Sequence, residues 1–351
     1  MSGSRERFFG ELRSVLSRGE SKEAWDELCQ VIDRFSDVEL DQMIFPYVEG
    51  SVRSWQAEVC QAPREWVKRA LDGEDLPFWA IVRALDISCE YLNAKQFEQL
   101  MQSERMQGVE VLDMSSNRVR STGALYLAHA NHLSSLRVLK AGFNELGASG
   151  MQVLTQSQGV FENLSELYVD GNLIDSRGLM HLLEAPWFAS LEVLDVAKNK
   201  LENNALHALF DGLSRHGKIR RLVCDGNTFT GDGCAMDALS QDFDGLEILE
   251  VRSCELNESD LFKFMNGNWS GLKSLDLSRN RKLTDDHVQV MANNSSFQQL
   301  ERLSLGGTDI TLDALDYLHQ LTSLTHVTIP YRSGFRLEPL RIHPFFVVCS
   351  S

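Results

Sequence analysis

No run of 18 apolar residues occurs anywhere in this 351-residue chain, so no membrane-spanning helix is expected. The opening Met1-Ser-Gly-Ser-Arg-Glu-Arg lacks the apolar stretch of a secretory signal, which leads us to expect a cytoplasmic protein. Basic charge is scarce: 34 Lys and Arg stand against 50 Asp and Glu, a formal net charge of -16. An acidic excess of that size repels phosphate backbones and anionic bilayers. It points to a protein partner with a basic surface, and away from nucleic acid or membrane. The seven cysteines, at 29, 60, 89, 224, 234, 254 and 349, include no C-x-x-C pair, and they read as reduced, packed thiols.

Catalytic signatures are missing as well. The chain holds no G-x-x-x-x-G-K-[ST] phosphate loop, no G-x-G-x-x-G fingerprint, no H-E-x-x-H pair and no G-x-S-x-G elbow. His129-x-x-His132 comes nearest to metal spacing, but neither cysteine nor carboxylate accompanies it at ligand spacing. The glycines of Asp225-Gly-Asn-Thr-Phe-Thr-Gly-Asp-Gly233 are explained as turn glycines, and the acidic residues among them would repel phosphate. We therefore expect no enzyme, no catalytic residue, no cofactor and no metal.

What the chain does have is a repeat. Eight successive segments follow L-x-x-L-x-L-x-x-N-x-L at an interval of 26 to 28 residues, as in Leu136-x-x-Leu139-x-Ala141-x-x-Asn144-x-Leu146 and Leu191-x-x-Leu194-x-Val196-x-x-Asn199-x-Leu201. Their ninth positions are Asn117, Asn144, Asn172, Asn199, Asn227, Cys254, Asn280 and Thr308. A buried amide at that point has two donors and an acceptor to satisfy the backbone of its own and the neighbouring coil, so these residues are expected to form a structural ladder. Cysteine and threonine fit the slot with fewer bonds. A degenerate copy, Val82-x-x-Leu85-x-Ile87-x-x-Glu90, precedes the series and Leu324-x-x-Val327-x-Ile329 follows it, giving about ten coils.

After each strand, helical spacing appears, for example Leu179, Leu182 and Leu183, then Leu206, Leu209 and Leu213. Each coil is thus strand, turn, helix, turn. Helices are wider than strands, at about 10 Å against about 4.8 Å, so strands should line the concave side and helices the convex side. At this point the chain resembles the ribonuclease-inhibitor type of leucine-rich repeat, a group that also includes the Ran GTPase-activating proteins and many bacterial cytosolic repeat proteins. The resemblance implies an α/β leucine-rich-repeat solenoid over 81–331. With no appended catalytic or localisation domain recognised, it suits a bacterial cytosolic protein.

Residues 1–80 carry no repeat. Phe8, Phe9, Leu12, Val15 and Leu16 form one helical stripe, and Ala24, Trp25, Leu28, Val31, Ile32 and Phe35 form a second. Ser36-x-x-Glu39 has the form of a capping box, Pro46 should stop or bend the helix it opens, and Pro63 suits the start of another. Four of the six tryptophans fall here, so this leader is expected to be a helical cap over the solenoid's first coil. Residues 332–351, with Ile342, Phe345, Phe346, Val347 and Val348, are expected to cap the last coil.

In L-x-x-L-x-L-x the leucines face the core, and the third, fifth and seventh positions face out of the concave side. The fifth position reads Asp86, Asp113, Lys140, Tyr168, Asp195, Val223, Glu250, Asp276, Ser304 and Thr328. Strand spacing should gather Phe143, Tyr168, Asp170, Asp195, Val223, Asp225 and Glu250 into an aromatic anchor ringed by carboxylates. That patch suits a partner presenting Lys or Arg beside an apolar side chain. The expected function is a non-enzymatic protein-interaction scaffold. The alternative is a GTPase-activating or other regulatory protein of the Ran-GAP-like kind, acting through rim loops. The oligomeric state is left open.

Overall fold

The computed structural model describes residues 2–157, 159–216, 218–229, 243–330 and 346–350. Two compact units are distinguished, one of Met1–Asn144 with Gln156–Leu164 and one of Glu145–Thr155 with Ser165–Ser351.

The first unit opens with helices α1 (Ser2–Ser17) and α2 (Lys22–Ile32). Ser21 caps α2 by accepting the Ala24 N–H at 3.1 Å, and its apolar stripe, Ala24, Trp25, Leu28, Val31 and Ile32, is buried. Ser36 and Glu39 form a capping box around the short α3 (Asp37–Glu39). The chain does not stop at Pro46. A π-helical turn over Leu40–Ile44 leads straight into α4 (Phe45–Val52), with Pro46 in its first turn. Proline lacks the N–H and crowds the preceding turn, and a widened turn at that place accommodates both defects.

Pro63 then precedes α5 (Arg64–Leu71), whose Trp66 donates to Asp33 at 2.8 Å and stacks on Phe78 with centroids 4.2 Å apart. Residues 60–62 run beside β1 (Ala84–Asp86): Ala62 N–H donates to Ala84 O at 2.9 Å, and Gln61 and Ala84 form a parallel bridge. Trp25 Nε1 donates to Gln61 O at 2.7 Å, which fastens α2 to that same segment. Strand β2 (Val111–Asp113) pairs in parallel with β1 and with β3 (Val138–Lys140), and α6 (Ala94–Met101) and α7 (Arg120–Ala128) follow β1 and β2.

The second unit continues the strand-and-helix alternation. It contains α8 (Gly147–Thr155), β4 (Glu166–Tyr168), α9 (Ser176–Leu183), β5 (Val193–Asp195), α10 (Asn203–His216), β6 (Arg221–Val223) and β7 (Ile248–Glu250). Then come α11 (Glu258–Met265), β8 (Ser274–Asp276), α12 (Asp285–Asn293), β9 (Arg302–Ser304), α13 (Ala314–Leu318), β10 (His326–Pro330) and β11 (Phe346–Ser350). β4 to β11 pair in sequence order, all parallel. β11 thus extends the sheet beside β10; of the expected terminal cap, 332–345 and 351 lie outside the described residues, as does Cys234.

The central strand leucines, Leu167, Leu194, Leu222, Leu249, Leu275 and Leu303, are at most 1% exposed, each contributing about 2 kcal/mol by leaving water. Trp269 sits among Phe210, Phe243 and Phe264, with centroids 5.7, 5.0 and 4.7 Å away. Gly271 makes this packing possible, since a Cβ there would lie 1.9 Å from the Asp244 carbonyl oxygen.

The ninth-position residues are at most 9% exposed. Asn199 is representative: its Nδ2 donates to Val169 O at 3.0 Å and Val196 O at 2.9 Å, while its Oδ1 accepts from Asn172 N at 2.9 Å and Ile174 N at 3.0 Å. Asn117 and Asn144 make equivalent bonds in the first unit, and Asn227 and Asn280 in the second. Cys254 replaces the amide with a thiol 3.3 Å from Cys224 O, and Thr308 donates to Leu305 O at 2.6 Å. The residue just before each ladder position turns the chain off its strand with left-handed backbone, as at Phe143 (φ 56), Lys198 (φ 52) and Arg279 (φ 61).

Candidate functional site

On the face of β4–β10 opposite the core, the parallel register lines up Tyr168, Asp195, Val223, Glu250, Asp276, Ser304 and Thr328 in one row. Glu166, Val193, Arg221, Ile248, Ser274 and Arg302 form the row on the strands' entry side. Aspartate in the fifth position has a local structural task. Asp195 Oδ1 accepts the Ala197 N–H at 2.9 Å, and Asp276 does the same for Ser278 at 2.9 Å. In the first unit Asp86 and Asp113 close the same turn on Ser88 and Ser115. A carboxylate that accepts the N–H two residues on stabilises the exit from the strand whatever the protein binds. The informative places in the second unit are therefore those where the aspartate is replaced, Tyr168, Val223, Glu250, Ser304 and Thr328, and the first three stand together.

Tyr168 is partly exposed and donates its hydroxyl to Glu166 Oε2 at 2.8 Å; burial and then that bond push its pKa up to about 12. Beside it, Asp195 has no cation within ion-pair distance among the described residues. Burial raises its pKa to about 6, and the negative charges of Asp170, Asp225 and Glu250 add to the shift while the Ala197 N–H opposes it. Val223 does not project to solvent as its row position implied. It is 5% exposed, because a short branched side chain is flanked by Asp195 and Glu250 across the sheet and by Arg221 and Asp225 along its own strand.

The carboxylates beyond Val223 are not a bare ring. Glu250 lies 2.8 Å from Arg221 and 3.0 Å from Arg252, and Arg252 also holds Asp225 at 2.6 Å and approaches Asp276 at 3.8 Å. Asp225, 8% exposed, accepts the Arg252 backbone N–H at 2.7 Å as well; burial still pushes its pKa above the usual range. Arg221 stands at the third position of the β6 copy, two residues before Val223, which pairs with Glu250, and Arg252 stands at the seventh position of the β7 copy, two residues after Glu250; their place in the repeat was the signal that could have revealed the pairing. Asp170 follows β4 and is partly exposed. Phe143 belongs to the first unit, in the left-handed turn after β3, and is 46% exposed.

Among the described residues no group of three or more His, Cys, Asp or Glu could hold a metal ion, and no helix is long and apolar enough to cross a membrane.

Residues 109–128 match the family described as Leucine Rich repeat. No curated protein sequence matches the chain. Among solved structures, the TLR13–ssRNA13 complex is similar at 18% identity and a TM-score of 0.50, over 74% of this chain and 38% of that one. This chain therefore spans 38% of that structure's length. The yeast Rad7–Elc1 complex is similar at 13% identity and a TM-score of 0.38, over 99% and 95% of the two chains. At 18% identity the likeness to the TLR13 complex bears on the fold alone, and the fold is an α/β leucine-rich-repeat solenoid.

Proposed function

We propose that this leucine-rich-repeat protein is a non-enzymatic cytoplasmic scaffold that binds a protein partner on the open face of β4–β7, through Tyr168, Asp170, Asp195 and the Glu250 network. The observation that carries this is Asp195: a carboxylate beside a tyrosine ring, raised in pKa by burial and like charges, with no cation within ion-pair distance among the described residues. A Lys or Arg from the partner, lying on the Tyr168 ring, supplies the missing charge. The chain's net charge of -16 supports a basic partner over nucleic acid or an anionic membrane. Residues 1–80 act as the cap of the first coil, a role supported by the pairing of 60–62 with β1 and by Trp25 on Gln61.

The test separates structure from binding. Asp195→Asn keeps an oxygen for the Ala197 N–H and removes the charge, so folding should persist. Proteins captured from the host lysate by the wild type should be lost with Asp195→Asn combined with Tyr168→Ala, and kept with Arg302→Gln. Identical capture by all three removes the face as the determinant.

A regulatory action through the turns after the strands is the second function we infer, favoured by exposed apolar side chains held in left-handed turns: Tyr91 (78% exposed, φ 52) in the first unit and Leu173 (47%, φ 59) in the second. Stimulated GTP hydrolysis by small GTPases is its assay, and a flat response across them disposes of it.

A further inference from the structure

Toward the far end of the same sheet the face changes character. A hollow of about 480 Å³ lies over the β7–β10 side, lined in part by Arg279, Ser253, Ser278, Ser304 and Thr328. Lys198 and Arg252 also line it, so three cations stand against two carboxylates, Asp225 and Asp276. Both carboxylates are already engaged. Asp225 binds the Arg252 side chain at 2.6 Å and its backbone N–H at 2.7 Å, and Asp276 accepts the Ser278 N–H at 2.9 Å with Arg252 at 3.8 Å.

Among the described residues the Arg279 guanidinium and four hydroxyls of the lining are uncommitted. Arg279 leaves β8 in left-handed backbone, and its stem passes over Gly307, where a Cβ would meet Arg279 Cγ at 3.2 Å. Its exposed guanidinium has no carboxylate within ion-pair distance among the described residues, and the hydroxyls of Ser253, Ser278, Ser304 and Thr328 make no hydrogen bond among them. One guanidinium offers five N–H donors in a planar fork and each hydroxyl one more. Together they exceed what the two oxygens of a carboxylate can accept. A phosphate monoester, with three terminal oxygens and a charge of about -1.5 to -2, matches them better.

We propose that this hollow is a phosphate-recognition subsite, which takes a phosphoserine or phosphothreonine side chain of a peptide segment laid across the sheet. Arg279 supplies the fork and Ser278, Ser304 and Thr328 complete the cradle. The subsite stands on its own donors and does not depend on Asp195, so its failure and that of the partner face above are read by different variants.

The experiment is an NMR titration of the ¹⁵N-labelled full chain with N-acetyl-O-phosphoserine methylamide, with N-acetylglutamate methylamide as the carboxylate arm. The Gly226 and Gly306 amides, which line the hollow, should shift and saturate at a concentration at least about tenfold lower for the phosphoserine compound. Arg279→Gln should weaken that response by about tenfold, and Ser304→Ala should weaken it by a smaller factor. Arg302→Gln, the same charge change at a residue outside the lining, should leave it unaltered. The proposal is overturned by shifts that do not centre on the hollow, by equal response to the two compounds, or by equal losses in the Arg279 and Arg302 variants. Should Arg279→Gln fail to fold, an unaltered response in Ser304→Ala overturns it too.

Discussion

The Arg252 guanidinium grips Asp225 at 2.6 Å while the Arg252 backbone N–H donates to the other oxygen of the same carboxylate at 2.7 Å. One residue thus neutralises a buried aspartate and fixes its orientation. Arg252→Gln removes the charge and leaves Asp225 ionised, 8% exposed and without its counterion. We expect a loss of about 1–3 kcal/mol, below the figure for a fully buried pair because Arg252 itself reaches water. Urea denaturation measures it, and adding Asp225→Asn should recover part of the loss.

Acidification should act through Asp195. Its folded pKa of about 6 lies above the ordinary value of 3.8, so the folded state takes up the proton first. Above pH 6 both states are ionised and the folded protein carries the full penalty of the buried charge. As pH falls from about 6 to 4 the proton enters the folded state preferentially, and that penalty is relieved. The difference in unfolding free energy between Asp195→Asn and wild type should therefore shrink over that window. Affinity for the basic partner should fall over the same interval in the wild type and stay flat in Asp195→Asn.

Asn199→Ala should cost on the order of 3 kcal/mol, because it strands the N–H groups of Asn172 and Ile174 and two carbonyls in the core. The converse substitution, Cys254→Asn, puts two donors and an acceptor where a thiol now bonds Cys224 O at 3.3 Å. It should raise the unfolding midpoint, with a gain of about 1 kcal/mol. A lower midpoint would mean that the slot is fitted to sulfur.

Gly271→Ala forces a Cβ to within 1.9 Å of the Asp244 carbonyl oxygen, which is backbone and cannot rotate away. The coil must shift around Trp269. We expect a loss of about 2 kcal/mol or more, together with a change in near-ultraviolet circular dichroism from the aromatic cluster.

Strand positions were legible because the spacing of Leu191, Leu194 and Val196 is a local property, and alternation along a strand sends one side inward and the other outward. The parallel register that sets Tyr168 beside Asp195 and Glu250 beside Val223 follows from aligning successive copies. Elsewhere the same logic reached only part of the way. It assigned Val223 to the solvent side without seeing that its four neighbours leave 5% of it exposed. It took Asp195 and Asp276 as surface charge, although each closes its own turn through a backbone N–H two residues on. It had Pro46 stop or bend its helix, without seeing that a π-helical turn before Pro46 carries the helix through.

Sequence alone determined the repeat, the alternation of strand and helix within it, the face on which its strand residues stand and the acid excess of the whole chain. All of these depend on periodicity and composition, which a linear pattern carries in full. Tertiary structure decided which charges remain available. Arg221 and Arg252 engage Glu250 and Asp225, Asp195 has no cation within ion-pair distance among the described residues, and Arg279 lines a hollow with neighbouring hydroxyls. Ion pairing depends on side chains 27 and 29 residues apart coming to 2.6 and 2.8 Å, on the rotamers they adopt and on how far burial has stripped their water. No linear pattern encodes those distances.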